Sequence, residues 1–232
     1  MKKLGIASFL VLAGALLAPA SALAAADVTV VHGVPGVTVD VYANGARLLA
    51  GFKYGEISPV VSVPAGTYDL AVYVAGSDPK KVAPAIALNG AKLPDGANVS
   101  VVAHLTDKGA LKLTPFVNDV NKIGFDARVA VRHTAQAPAV NVIESFYWIK
   151  YVLGTIANGA QIEDDTWPGT HRIGLAPAPT RNIIAGPYKL NFKSGSYTAV
   201  YAVGSLNDGS FRVLVQTVKE GRANRYDDCD ED

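Results

Sequence analysis

The chain of 232 residues carries 21 basic and 20 acidic side chains, a net charge of +1, and is 50% hydrophobic with one cysteine. So even a balance provides no chain-wide field to draw in nucleic acid or an anionic membrane. A single cysteine excludes an internal disulfide framework, so the fold must hold through its own core.

The N-terminus "MKKLGIASFLVLAGALLAPASALAAADV" has the three parts of a secretory signal. Lys2 and Lys3 form its positive end, Leu4 to Leu17 its apolar run, and Ala22-Leu23-Ala24 a small-residue cleavage site. The apolar run is shorter than the roughly 20 residues a spanning helix needs, and no second run follows. Residues 1–24 are therefore predicted to be cleaved. The mature chain is expected to be exported, periplasmic or extracellular at the cell surface, with no membrane span. Loss of Lys2 and Lys3 leaves 19 basic against 20 acidic residues.

From residue 27 onward the chain reads as strands. "VTVV", "VTVDVY", "VVSV", "TYDLAVYV", "VSVVAHL" and "LKLTPFV" are short, β-branched and often alternating. Turn signals separate them, among them Asn44-Gly45, Pro64-Ala65-Gly66 and Pro94-Asp95-Gly96. No long apolar stripe of helical period occurs. Past "NDVNKIGFD" (118–126) the pattern returns. His133 follows His32 by 101 positions, and Asn141 follows Asp40 by the same interval. "PAGTYDLAV" at 64–72 is answered by "WPGTHRIGL" at 167–175, and "VSVVAHLTDKGALKL" by "YTAVYAVGSLNDGSFRV". Roughly seven short strands in about 100 residues is a sandwich pattern. The sequence thus predicts an all-β chain of two tandem antiparallel β-sandwich domains, immunoglobulin- or transthyretin-like, over 27–119 and 127–219. The last stretch, 220–232, packs acids around Cys229 and reads as a disordered tail. Cys229 is open to pairing with another chain, but the surrounding carboxylates suppress its reactivity.

The segment "VVHGVPGVTVDVYANG", followed by "FKYGEISPVVSVPAGTYDLAVY", resembles the bacterial and archaeal family called domain of unknown function 4397. That family's pattern runs roughly V-V-H-A-S-P-D-A-P-x-V-D-V-Y-x-[ND]-G, with P-A-G-x-Y later. The first copy keeps His32, Pro35, Val39, Asp40, Val41, Tyr42 and Gly45. The second keeps His133, Ala137, Pro138, Val140 and Val142, with Asn141 and Ile143 where the pattern has D and Y. Neither copy carries the acid of the S-P-D segment. The resemblance implies secreted or cell-surface sandwich modules, often in tandem, and no established activity.

The signatures of catalysis are missing. There is no G-x-S-x-G elbow, H-E-x-x-H, C-x-x-C or phosphate-binding glycine loop, and the cysteine lies in the acidic tail. No catalytic residue, metal or cofactor is assigned. His32 and His133 each end a core-facing strand row just before a turn. One reading has their rings bonding a turn carbonyl or Asp40 and Asn141, a structural turn motif. The other makes His32 and Asp40 metal ligands; Asn141 would be a poorer ligand in the second copy.

Downstream the copies diverge. The first turns on Asn44-Gly45, a tight-hairpin pair, where the second reads "IESFYWIKYVLG" with Phe146, Tyr147, Trp148 and Tyr151. At a hairpin tip these rings would form a binding patch for sugars or a protein. On a longer strand they would fill the inter-domain groove or the core. Trp167 is read as a turn aromatic closing a barrel end. The expectation is an exported, non-enzymatic structural or adhesive module of the cell envelope. Its partners would be cell-surface proteins or glycans, and self-association is open. The alternative is a carbohydrate- or small-ligand-binding module using the four aromatics.

Overall fold

A computed structural model describes residues 25–219. The expected signal segment, the acidic tail and Cys229 lie outside the described residues. Among the described residues no helix is long and apolar enough to cross a membrane.

The first half comprises β1 (Ala25–His32), β2 (Val39–Ala43), β3 (Ala46–Phe52), β4 (Val61–Pro64), β5 (Gly66–Val74), β6 (Ile86–Leu93), β7 (Asn98–Leu105) and β8 (Leu111–Asn118). The second half follows with β9 (Ala127–Ala135), β10 (Val140–Phe146), β11 (Ile149–Ile156), β12 (Ala160–Thr166), β13 (Gly169–Pro177), β14 (Ala185–Phe192), β15 (Ser196–Gly204) and β16 (Arg212–Lys219). The first half builds two four-stranded sheets, β4-β1-β7-β8 and β3-β2-β5-β6. The second builds β12-β9-β15-β16 and β11-β10-β13-β14. Each strand pairs as its counterpart eight places earlier does. The architecture is all-β, with two repeated four-stranded sheets per half, consistent with a tandem β-sandwich.

Two expectations are corrected. Each half has eight strands, because the edge strand β6 and its counterpart β14 add to those visible in the sequence. The sheets are also not purely antiparallel: β1 pairs parallel with β7, and β9 with β15. After β1 the chain passes through the other sheet before returning as β7. Parallel pairing needs such a long crossover.

Within each half, alternation sends one row of side chains inward. Val28 and Val30 of β1 and Val99 and Val101 of β7 meet Val41, Leu70 and Val72 of the facing sheet. Val131, Val142, Ile173, Leu175 and Val200 do the same in the second half. Each such side chain contributes roughly 1.5–3 kcal/mol when fully buried.

A third core joins the halves. Val31, Val102 and Phe116 of the first half pack with Ala130, Tyr197, Ala199, Tyr201 and Val203 of the second, sealed by Val120 and Ile123 of the connecting segment. Sheet β4-β1-β7-β8 therefore faces β12-β9-β15-β16, and β7 and β15 are covered on both faces. The inter-half seam is made by these sheets, not by the aromatics of β10 and β11.

Candidate binding site

The β10–β11 hairpin is closed by a two-residue turn, Tyr147-Trp148, with Phe146 paired to Ile149. The corresponding turn in the first half is Asn44-Gly45, with φ of 47° and 77°, a conformation these two residue types accept readily. Tyr147 holds φ 53°, a left-handed value that costs a non-glycine residue about 1–2 kcal/mol. The tip thus places a strained tyrosine where the first half has asparagine. Phe146, Tyr147, Trp148 and Tyr151 are 62%, 80%, 87% and 51% exposed. Tyr147 packs edge-on to Phe146 with centroids 4.9 Å apart and lies 5.9 Å from Trp148. The structure places all four in solvent, where the inter-domain or core alternative would have buried them.

Trp167 lies in the β12–β13 turn and is 81% exposed, so it closes no barrel end. Its carbonyl accepts from His171 Nε2 at 2.9 Å, and His171 Nδ1 lies 2.6 Å from Glu144 Oε1. This bridge ties the Trp167 turn to β10, three residues before Tyr147.

Beside that bridge a cleft of about 390 Å³ opens between β11 and β12, the edge strands of the second half's two sheets. Its floor is apolar, from Val129, Val131, Ile162, Ile173 and Phe192, and its walls carry Glu144, Asp164, Thr166 and His171. The first half has a matching cleft of about 240 Å³. Strand registers equate Ala43 with Glu144, Val61 with Asp164 and Tyr68 with His171. Ala43 and Glu144 pair with Leu70 and Ile173, while Val61 and Asp164 pair with Val28 and Val129. Three ionisable groups thus replace two aliphatic side chains and a tyrosine on one scaffold. Sequence reasoning missed this site, although "PAGTY" set against "WPGTH" showed the tyrosine-to-histidine exchange.

His32 and His133 are buried at their strand ends. His32 Nε2 donates to the Val37 carbonyl at 3.0 Å, and its Nδ1 accepts from Val34 N–H at 3.4 Å. His133 Nε2 donates to the carbonyls of Ala137 (3.2 Å) and Pro138 (2.9 Å). Both rings thus span their own turns. Asp40 and Asn141 are used elsewhere. Asp40 accepts from Gly51 N–H at 2.8 Å and Gly76 N–H at 3.3 Å, whereas Asn141 Nδ2 donates to the Thr180 carbonyl at 2.8 Å and its Oδ1 accepts from Thr155. Among the described residues no three His, Cys, Asp or Glu side chains gather as a metal ion would need.

A family model described as "Domain of unknown function (DUF4397)" matches residues 26–143, from β1 into β10. Among solved structures, one provisionally described as a cell adhesion protein, from Bacteroides uniformis ATCC 8492, is 12% identical. The match covers 80% of this chain and 92% of that one, with a TM-score of 0.23. No curated protein matches.

Proposed function

The chain belongs to the DUF4397 family, and we propose that it is an exported, non-catalytic interaction module of the cell envelope or extracellular space. In this reading residues 27–119 and 127–219 are two immunoglobulin- or transthyretin-like sandwiches, the second a divergent copy of the first. The repeated strand order supports that division, and the N-terminal signal pattern supports export. Contact with the partner surface is made by Phe146, Tyr147, Trp148 and Tyr151.

One observation carries the proposal: four adjacent aromatic side chains stand in solvent around a turn whose first residue is strained. Large apolar rings left exposed together mark interaction sites. Strain kept at a surface turn points the same way, because nothing in the fold needs a tyrosine there. Trp148→Ala and Tyr147→Ala leave the cores untouched, so both variants should fold. Labelled wild-type protein is expected to bind the producing cells' surface fraction at least tenfold more tightly than either. Equal binding would overturn the proposal. A carbohydrate ligand is the second reading, favoured by the exposed ring faces, which suit stacking on sugars. A glycan array that captures the wild type but not Trp148→Ala supports it; an empty array removes it and leaves a protein partner.

A further inference from the structure

We propose that the cleft between β11 and β12 receives a lysine side chain of a partner protein, with Asp164 as its counter-ion and Val129, Val131, Ile162 and Ile173 as the bed for its stem. The inference deepens the interaction-module reading by naming what the partner presents.

The carboxylates around the cleft differ in one respect. Glu144 is engaged by His171 Nδ1 at 2.6 Å. Asp165 is held by Arg128 through two bonds of 2.6 and 2.9 Å. Glu163 accepts from the Tyr197 hydroxyl at 2.8 Å and from Gln161. Asp164 has no ion-pair partner among the described residues; only its Oδ1 is used, by the Asp165 backbone N–H at 2.9 Å. It lines the cleft beside a floor of aliphatic side chains while staying exposed to solvent, so an incoming cation can reach it without first displacing an internal partner. At the equivalent point the first half has Val61 in an apolar cleft. The same scaffold therefore exists without the charge, and the fold does not require it.

The complementary ligand combines a positive head with an apolar stem. Lysine supplies both, laying its methylenes on apolar surface and holding out its ammonium. Arginine fits less well. Its planar fork binds best to two parallel acceptors, and one Asp164 oxygen already serves the backbone. A sugar would need an aromatic floor to stack on, and the floor here is chiefly aliphatic. A metal ion would need more ligands than a single free carboxylate. The lysine would arrive on a protein surface, because both walls are unpaired sheet edges and the exposed aromatic tip adjoins them. Edge strands are open to an incoming chain.

The test uses capped pentapeptides, Gly-Gly-Lys-Gly-Gly and its Nε-acetyl-lysine form, titrated into the isotope-labelled protein by NMR. The lysine peptide is expected to shift the amides of Val129, Ile162 and Asp164 while leaving Val61 and Val63 of the first-half cleft still. Acetylation, which keeps the stem and removes the charge, should weaken binding at least tenfold. Asp164→Asn should do the same, and its amide oxygen can still accept from Asp165. Equal binding of the two peptides, or unchanged binding by Asp164→Asn, overturns the assignment. Trp148→Ala should spare peptide binding, so the surface-contact reading and this one fail separately.

Discussion

Arg132 of β9 and Asn118 of β8 meet across the two halves, Nη2 to Oδ1 at 2.5 Å. The guanidinium is wholly buried and makes three further bonds, to Gln161 (2.8 Å), Tyr201 (2.8 Å) and Tyr197 (2.9 Å). Phe116 of the first half covers its face, with the ring centroid at 4.6 Å. Its negative balance comes through Tyr197, whose hydroxyl donates onward to Glu163. Burial pushes the Tyr197 and Tyr201 phenols well above their ordinary values, so both remain protonated donors. A second link, from Gln216 Nε2 to Thr29 Oγ1 at 3.1 Å, crosses the same seam. A buried cation with its donors so fully used fixes one orientation of the halves.

Removing that cation leaves Asn118, Gln161 and both phenols facing an empty site. Breaking such a buried network costs about 3–5 kcal/mol. Arg132→Ala is expected to lower the urea midpoint accordingly. Arg132→Lys should rescue little, because an ammonium cannot match the planar fork. A loss below about 1 kcal/mol in Arg132→Ala would mean that water replaces the guanidinium at little cost, and the same result in Arg132→Lys would mean that an ammonium serves the network as well.

This seam was not legible in the sequence. "RVAVRH" reads as an ordinary strand, and whether Arg132 points to solvent or to a neighbour depends on how the halves rotate, which no local pattern encodes. "YTAVYAVG" held a hint, since both faces of that strand are apolar, but such a run does not say what covers the second face. Local chemistry was readable. The β1 alternation, the Asn44-Gly45 turn and the repeat interval follow from nearest-neighbour geometry. The cleft lay between these cases. Glu144, Asp164 and His171 come from three strands, and only the registers bring them together.

The histidines predict an acid-side loss of stability. Burial lowers the proton affinity of His32, His104 and His133 below the ordinary value of 6.5. The unfolded chain takes up these protons near 6.5, and the folded one only at lower pH. Between those values the unfolded state binds more protons, so stability rises with pH. Their contribution is complete above about 6.5 and is lost as the pH falls below it. Protonating His32 Nδ1 would set an N–H against the Val34 N–H. The melting temperature should therefore fall between pH 7.5 and pH 5, as the unfolding free energy drops by at most about 1.4 kcal/mol per histidine per pH unit. A flat profile over that range would contradict the burial argument.

Asp40 and Asn141 occupy matched positions but differ at one side-chain atom, an acceptor in Asp40 and a donor in Asn141, so exchanging them should cost unequally. Asp40→Asn keeps an acceptor for Gly51 N–H at 2.8 Å and gives up only the longer contact with Gly76 N–H at 3.3 Å, and a loss of about 1 kcal/mol is expected. Asn141→Asp turns the donor aimed at the Thr180 carbonyl into an acceptor facing an acceptor. Leaving buried groups unsatisfied costs about 1–3 kcal/mol. Guanidinium denaturation of the two variants should rank them in that order, and the reverse ranking would mean that Asp40 depends on its charge.

Tyr147 should show a conflict between stability and contact. Its φ of 53° is close to the 47° of Asn44 in the first-half turn, where asparagine tolerates the left-handed region. Tyr147→Asn therefore relieves strain while giving up a ring that is 80% exposed and buries little. A gain of about 1 kcal/mol is expected, read as a rise in melting temperature. The same variant should lose surface binding at least tenfold, because Phe146 and Trp148 no longer have Tyr147 packed between them. If stability drops instead, the ring contacts hold the turn and the tyrosine is structural. A gain in stability with a loss of binding is what a residue retained for its contact rather than its fit must give.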